Sequence, residues 1–163
     1  MGSRKWPQTL DIAHLTGITY DTSMTPRVVL DTNVVVAGLR SRLGASHRLL
    51  SLAGTDRFVH FISVALLFEY ETAVMRPESG IELPRAAIDD VLDYLCASQR
   101  QDIYFLWRPT LPDPGDDLVL EVAAHGRCDR IVTFNTRDFA GSERFGVTAE
   151  TPGAFLRSLE IKR

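Results

Sequence analysis

The 163-residue sequence predicts one α/β domain whose parallel sheet is covered by helices on both faces. Three observations carry that expectation. Val28-Val29-Leu30-Asp31-Thr32-Asn33-Val34 is an apolar run ending abruptly in a carboxylate, as a buried strand does when it delivers an acid to a sheet end. A second such run, Arg130-Ile131-Val132-Thr133-Phe134-Asn135-Thr136-Arg137-Asp138-Phe139, lies far downstream. Between them short apolar runs alternate with helix-length stretches, which requires crossover connections and a parallel sheet.

The elements follow in order. Residues 1–25 show no sustained period and read as an N-terminal extension, either a leader ahead of Met24 or an arm packing on the body. The domain proper spans 26–160. Residues 28–30 form the first strand and 34–39 a helical turn. After a basic loop, 45–52 read as a helix stopped at Gly54. Residues 58–62 form the second strand, and Ser63 can cap a helix running to about Met75. Arg76-Pro77 closes that helix, because proline cannot continue the hydrogen-bond ladder.

Pro84 suits the first turn of the next helix, which runs to about Gln99 with Ile88, Val91, Leu92 and Leu95 on one stripe. A short third strand is expected at 103–106. Residues 118–124 are apolar on nearly every face except Glu121, so that helix should be deeply buried, with Gly126 ending it. Residues 131–134 form the fourth strand, Val147 begins a marginal fifth, and Pro152 opens a C-terminal helix. There is no internal repeat and no low-complexity segment.

Composition narrows the function classes. The net charge of -3 and pI near 5.8 do not mark a nucleic-acid binder, so a polyanionic substrate needs a local basic patch. Arg40, Arg42, His47 and Arg48 supply one candidate, with a solvated basic loop as the plainer alternative. Cys96, Cys128 and four scattered histidines show no CxxC or HxxxH spacing, which argues against structural zinc and fits a reducing cytoplasm. No run approaches the ~20 apolar residues that cross a membrane. Arg4 and Lys5 precede no apolar stretch, so a secretory signal is not expected either. The expected location is the cytoplasm.

Four places supply candidate ligands: Asp31, Glu69 or Glu71, the stretch from Asp113 to Asp117, and Asn135 with Asp138. In a parallel sheet all C-terminal strand ends share one edge, so Asp31, Asn135 and Asp138 are candidates for one crevice. Asp117 opens the buried helix, with Glu121 four residues on along the same face. Clustered carboxylates repel one another, and oxygen ligands without histidine or thiolate suit a hard cation, Mg²⁺ or Mn²⁺.

Taken together, Val29 to Val34, Ser63 to Pro77 with its central Glu69, Asp116-Asp117-Leu118-Val119-Leu120-Glu121, and Ile131 to Phe139 resemble the successive motifs of PIN domains. The likeness covers roughly 27–156 and is greatest to the bacterial branch of toxin components in toxin–antitoxin pairs. The resemblance implies an α/β/α sandwich that binds Mg²⁺ or Mn²⁺ and cleaves single-stranded RNA. It implies a site of Asp31, Glu69, Asp117, Asn135 and Asp138, a small antitoxin partner and a homodimer. Many PIN domains carry aspartate where this chain has Asn135; an amide contributes no charge, which favours one tightly held ion over two.

Around that set, Glu71 reads as a solvated helix residue, and Asp113 and Asp116 as loop or turn residues within water-mediated reach of the ion. Thr32, Asn33 and Thr133 are expected to hydrogen-bond the ligating carboxylates. Arg137 can offset the acids or contact phosphate. Two other readings stand beside the nuclease. One is a catalytically weak PIN-like module whose acidic pocket docks a partner's arginine. The other is an aspartyl-nucleophile phosphatase, which wants a second aspartate where Asn33 stands.

Overall fold

Val28, Val29 and Leu30 are all fully buried. Successive strand residues point to opposite faces, so this strand is covered above and below. The chain, described by a computed structural model over residues 25–97, 99–100 and 110–161, is accordingly a layered α/β sandwich. The elements run β1 (Arg27–Leu30), α1 (Thr32–Arg40), α2 (Ala45–Leu52), β2 (Val59–Ile62), α3 (Val64–Met75), α4 (Arg85–Cys96) and β3 (Gln99–Arg100). They continue α5 (Pro114–His125), β4 (Arg130–Val132), β5 (Thr148–Glu150) and α6 (Pro152–Ile161).

All strand pairs are parallel, in the order β3-β2-β1-β4-β5. Register sets Val29 opposite Ile131 and Leu30 opposite Val132, so β1 and β4 end level with each other. The chain builds outward from β1 to β2 and β3, then returns to lay β4 on the other side of β1. This reversal opens a crevice beyond the carboxyl ends of β1 and β4.

Local sequence explains most boundaries. Ser63 accepts a hydrogen bond from the Leu66 amide at 3.1 Å and caps α3 as expected. The stripe of α4 buries Ile88, Leu92 and Leu95. Gly54 takes a left-handed φ of 78° just past α2. At Gly38, a Cβ would stand 2.5 Å from Leu50 Cδ1, so glycine is what lets α1 and α2 pack this closely. The last helix docks on α2, and its Phe155 meets Phe58 edge-on at 5.5 Å between centroids.

Several boundaries moved. The first helix starts at Thr32 rather than 34, because Asp31 already occupies its N-cap position. The fourth helix stops at Cys96, short of Gln99, and Gln99–Arg100 instead pairs with Phe61 and Ile62. The strand expected at 103–106 and the extension at 1–24 lie outside the described residues. The buried helix α5 begins four residues earlier than expected, and even its acids Asp117 and Glu121 are buried, at 8% and 5% exposure.

His60 sits inside β2 at 2% exposure, and burial pushes its pKa down to about 4 from the ordinary 6.5. The unfolded chain takes up a proton near pH 6.5 that the folded chain refuses until about pH 4. The neutral imidazole therefore contributes stability above pH 6.5 that is lost as pH falls through that window. His60→Gln should lose roughly 2 kcal/mol less than wild type between pH 7 and pH 5 in chemical denaturation. Equal losses in the two proteins would refute this.

Candidate active site

Asp31 leaves β1 at the crevice, 6% exposed, at the N-cap position of α1. One carboxylate oxygen, Oδ2, accepts the Thr133 hydroxyl at 2.7 Å. Thr133 is fully buried just beyond β4, and its oxygen also accepts Asn33 Nδ2 at 3.2 Å and the Asn135 amide at 2.9 Å. Asn33 Oδ1 in turn accepts the Phe134 amide at 3.3 Å. From α3, Tyr70 donates its buried hydroxyl to the Leu30 carbonyl, fixing the residue before Asp31. Thr133 thus bonds the carboxylate as expected, whereas the Asn33 side chain reaches it only through Thr133. Two strand ends become one rigid platform.

Above this platform lies an open cleft of about 720 Å³. Asp31, Glu69 and Asn135 line it, joined by Asp113 and Asp116 from the start of α5. Arg40 and Arg76 stand on its walls. Asp138 does not line the cleft, although its charge reaches both Asp31 and Asp116. It is exposed, on the short 3-10 turn Thr136–Phe139.

Asp117 is placed differently from its neighbour. Its carboxylate accepts the amides of Thr110 at 3.0 Å and Leu111 at 2.9 Å, anchoring the segment that leads into α5. Successive helical residues point about 100° apart, so Asp116 faces the cleft when Asp117 faces the body. Asp113 caps α5 through the Gly115 amide at 2.7 Å while also lining the cleft. Glu71 pairs with Arg85 at 2.8 Å on the surface, the solvated role expected of it. Of the basic loop, only Arg40 reaches the cleft: His47 contacts the Gly38 carbonyl at 2.9 Å and Arg48 pairs with Glu160 at 3.4 Å.

The electrostatics follow from this crowding. Burial raises the Asp31 pKa, with a further push from Asp138, against hydrogen bonds from Thr133 and the Thr32 and Asn33 amides. Asp116 is pushed up to about 6, by burial first and then by the charges of Asp31, Asp113, Asp138 and Asp117. Such mutual repulsion is what a cation placed among these groups relieves. The donors are carboxylates and one amide, the oxygen set that suits Mg²⁺ or Mn²⁺. As they stand, no three Asp, Glu, His or Cys among the described residues form a group that holds an ion. The donor chemistry fits such an ion, and Glu69 and Asp116, both half-buried, line the cleft beside Asp31.

Sequence reasoning ranked Asp116 below Asp117 and passed over Arg76 and Phe134 as site residues. Arg76 registered only as a helix stop, and Phe134 only as the end of a strand. Asp116 gave no separate signal, because two adjacent acids at a helix start are equivalent until the helix phase is known.

Among the described residues no helix is long and apolar enough to cross a membrane. No curated protein matches this sequence. The PIN domain family matches residues 27–137, which carry β1, the Glu69 helix, the acidic start of α5 and the Asn135 turn. With two thirds of its length so matched, the chain belongs to the PIN domain family.

Proposed function

We propose that the protein is a metal-dependent endoribonuclease that hydrolyses single-stranded RNA, acting as the toxin of a toxin–antitoxin pair in the cytoplasm. PIN domains are generally nucleases and typically use divalent metals, which supports hydrolysis at the coarse level. The observation that carries the finer reading is the cleft that Asp31, Glu69, Asp113, Asp116 and Asn135 line together, with the charge of Asp138 reaching Asp31 and Asp116.

In this reading Asp31, Glu69 and Asp116 are the principal ligands, with Asn135 and Asp138 at the edge of the set. Asp117 holds the Thr110–Leu111 backbone that positions Asp116. A bound Mg²⁺ or Mn²⁺ supplies charge neutralisation at the phosphate and a water of lowered pKa. Thr133 keeps Asp31 oriented and ionised, and Arg40 and Arg76 offset the negative walls as a phosphodiester enters. An RNA substrate, a small antitoxin that covers the cleft and a second copy of the chain are the proposed partners. Co-purification with the product of a neighbouring small reading frame tests the antitoxin, and light scattering tests the dimer.

Titration with Mn²⁺ followed by thermal shift and by cleavage of labelled RNA tests the core of the proposal. Asp116→Asn should weaken Mn²⁺ binding by roughly tenfold or more while leaving the fold intact. Asp117→Ala should instead cost about 2 kcal/mol of stability, because the buried Leu111 amide and the part-buried Thr110 amide lose their acceptor. If Mn²⁺ produces neither a shift nor cleavage in wild type, the pocket is a docking site for a partner's cationic side chain and the nuclease reading falls.

A further inference from the structure

We propose that Phe134 is a base-stacking residue that holds an unpaired base of the substrate beside the scissile phosphate and so makes the cleft selective for single strands. The inference rests on the nuclease reading above and deepens it. Phe134 is 52% exposed, although it directly follows the fully buried Thr133. Among the described residues that line the cleft it is the one aromatic, set among acids, arginines and small side chains. Within the described residues it takes part in no aromatic or cation–π pair, and about half of its surface meets solvent at the cleft.

Its position is fixed rather than incidental. The Phe134 amide donates to Asn33 Oδ1 at 3.3 Å, and Asn33 is bonded to the same Thr133 oxygen that serves Asp31. The Phe134 backbone is thereby tied to the Asp31 carboxylate through the side chains of Asn33 and Thr133. A lone exposed phenylalanine on a surface needs no explanation, but one tethered to an acidic centre does. Every base has a π-face, so stacking on an aromatic side chain is favourable and tolerant of sequence. In a duplex both faces of a base are already covered, and the ring finds no partner. Arg40 and Arg76, also in the cleft walls, provide for the phosphates of the same strand.

Single-stranded RNA, the same strand in a duplex, and copies with one abasic position moved along the strand make the test. Binding is read by anisotropy in an Asp31→Asn background that cannot cleave, and KM and kcat are read in the otherwise native chain. Phe134→Ala should weaken single-strand binding and raise KM about tenfold, with kcat much less changed. It should also lose the distinction between intact and abasic RNA at one position, and narrow the preference over duplex. Phe134→Trp should restore all three. If Phe134→Ala binds, cleaves and discriminates like its parent, the stacking role is overturned and the nuclease reading survives. If the native chain with Mn²⁺ neither binds nor cleaves any of these RNAs, the nuclease reading fails and takes this inference with it.

Discussion

Asp31→Asn is expected to reduce RNA cleavage to below about a thousandth of wild type, equivalent to about 4 kcal/mol of barrier. The same change should raise the melting temperature of the metal-free protein. Both effects come from one cause. Asp31 is nearly buried, and its raised pKa means that the fold disfavours its charge relative to the unfolded chain. An asparagine keeps an oxygen to accept the Thr133 hydroxyl and discards the charge, so the apo protein gains stability. It also leaves the repelling set around Asp116 and Asp138 one charge lighter, and the Mn²⁺-induced thermal shift should shrink accordingly. Circular dichroism, apo melting and a Mn²⁺ titration separate these outcomes. Cleavage retained at near wild-type rate would eliminate the proposed centre, and a lower apo melting temperature would contradict the electrostatic account.

Thr133→Val has the second largest expected effect. The substitution keeps the shape of a fully buried side chain and removes its oxygen, which serves Asp31, Asn33 and Asn135 at once. Asp31 loses a donor that lowers its pKa, so its carboxyl rises further and holds a cation less well at neutral pH. Asn33 Nδ2 and the Asn135 amide lose their acceptor. Activity and metal affinity should fall about 10- to 100-fold. Stability should fall by about 2 kcal/mol, since part-buried donors go unmatched. Thr133→Ser should recover most of both losses. If valine is silent in the cleavage assay while serine and wild type agree, the hydrogen-bonded platform has no functional role.

Much of this architecture was legible in the chain. The apolar runs around Val29 and Ile131 announced buried parallel strands, and the abrupt change of polarity at Asp31 marked where a strand meets solvent. Ser63, Pro77, Pro84, Gly126 and Pro152 punctuated the helices through local backbone chemistry that acts within a few residues. Where the signal was weak, pairing decided: Gln99–Arg100 carries no strand pattern, and it joins the sheet because Phe61 and Ile62 offer an edge.

The site was legible only to the level of segments. Asp31, Glu69 and Asn135 do share a cleft, but the ranking within Asp113 to Asp117 depended on the rotational phase of α5. Nothing local distinguishes Asp116 from Asp117. The amides of Thr110 and Leu111 claim one of them, and the other is left for the cleft. Arg76 and Phe134 were hidden for a related reason: which side of a helix end or strand end faces open space depends on elements far away in the chain.

By itself, then, the sequence determined where most of the strands and helices lie, and that carboxylates gather at one sheet edge, because periodicity and capping are short-range physics. Only the tertiary structure decided which of those carboxylates face each other and which tie down backbone. Side-chain direction there is set by the register of β1 against β4 and the seating of α5, contacts between residues about a hundred positions apart.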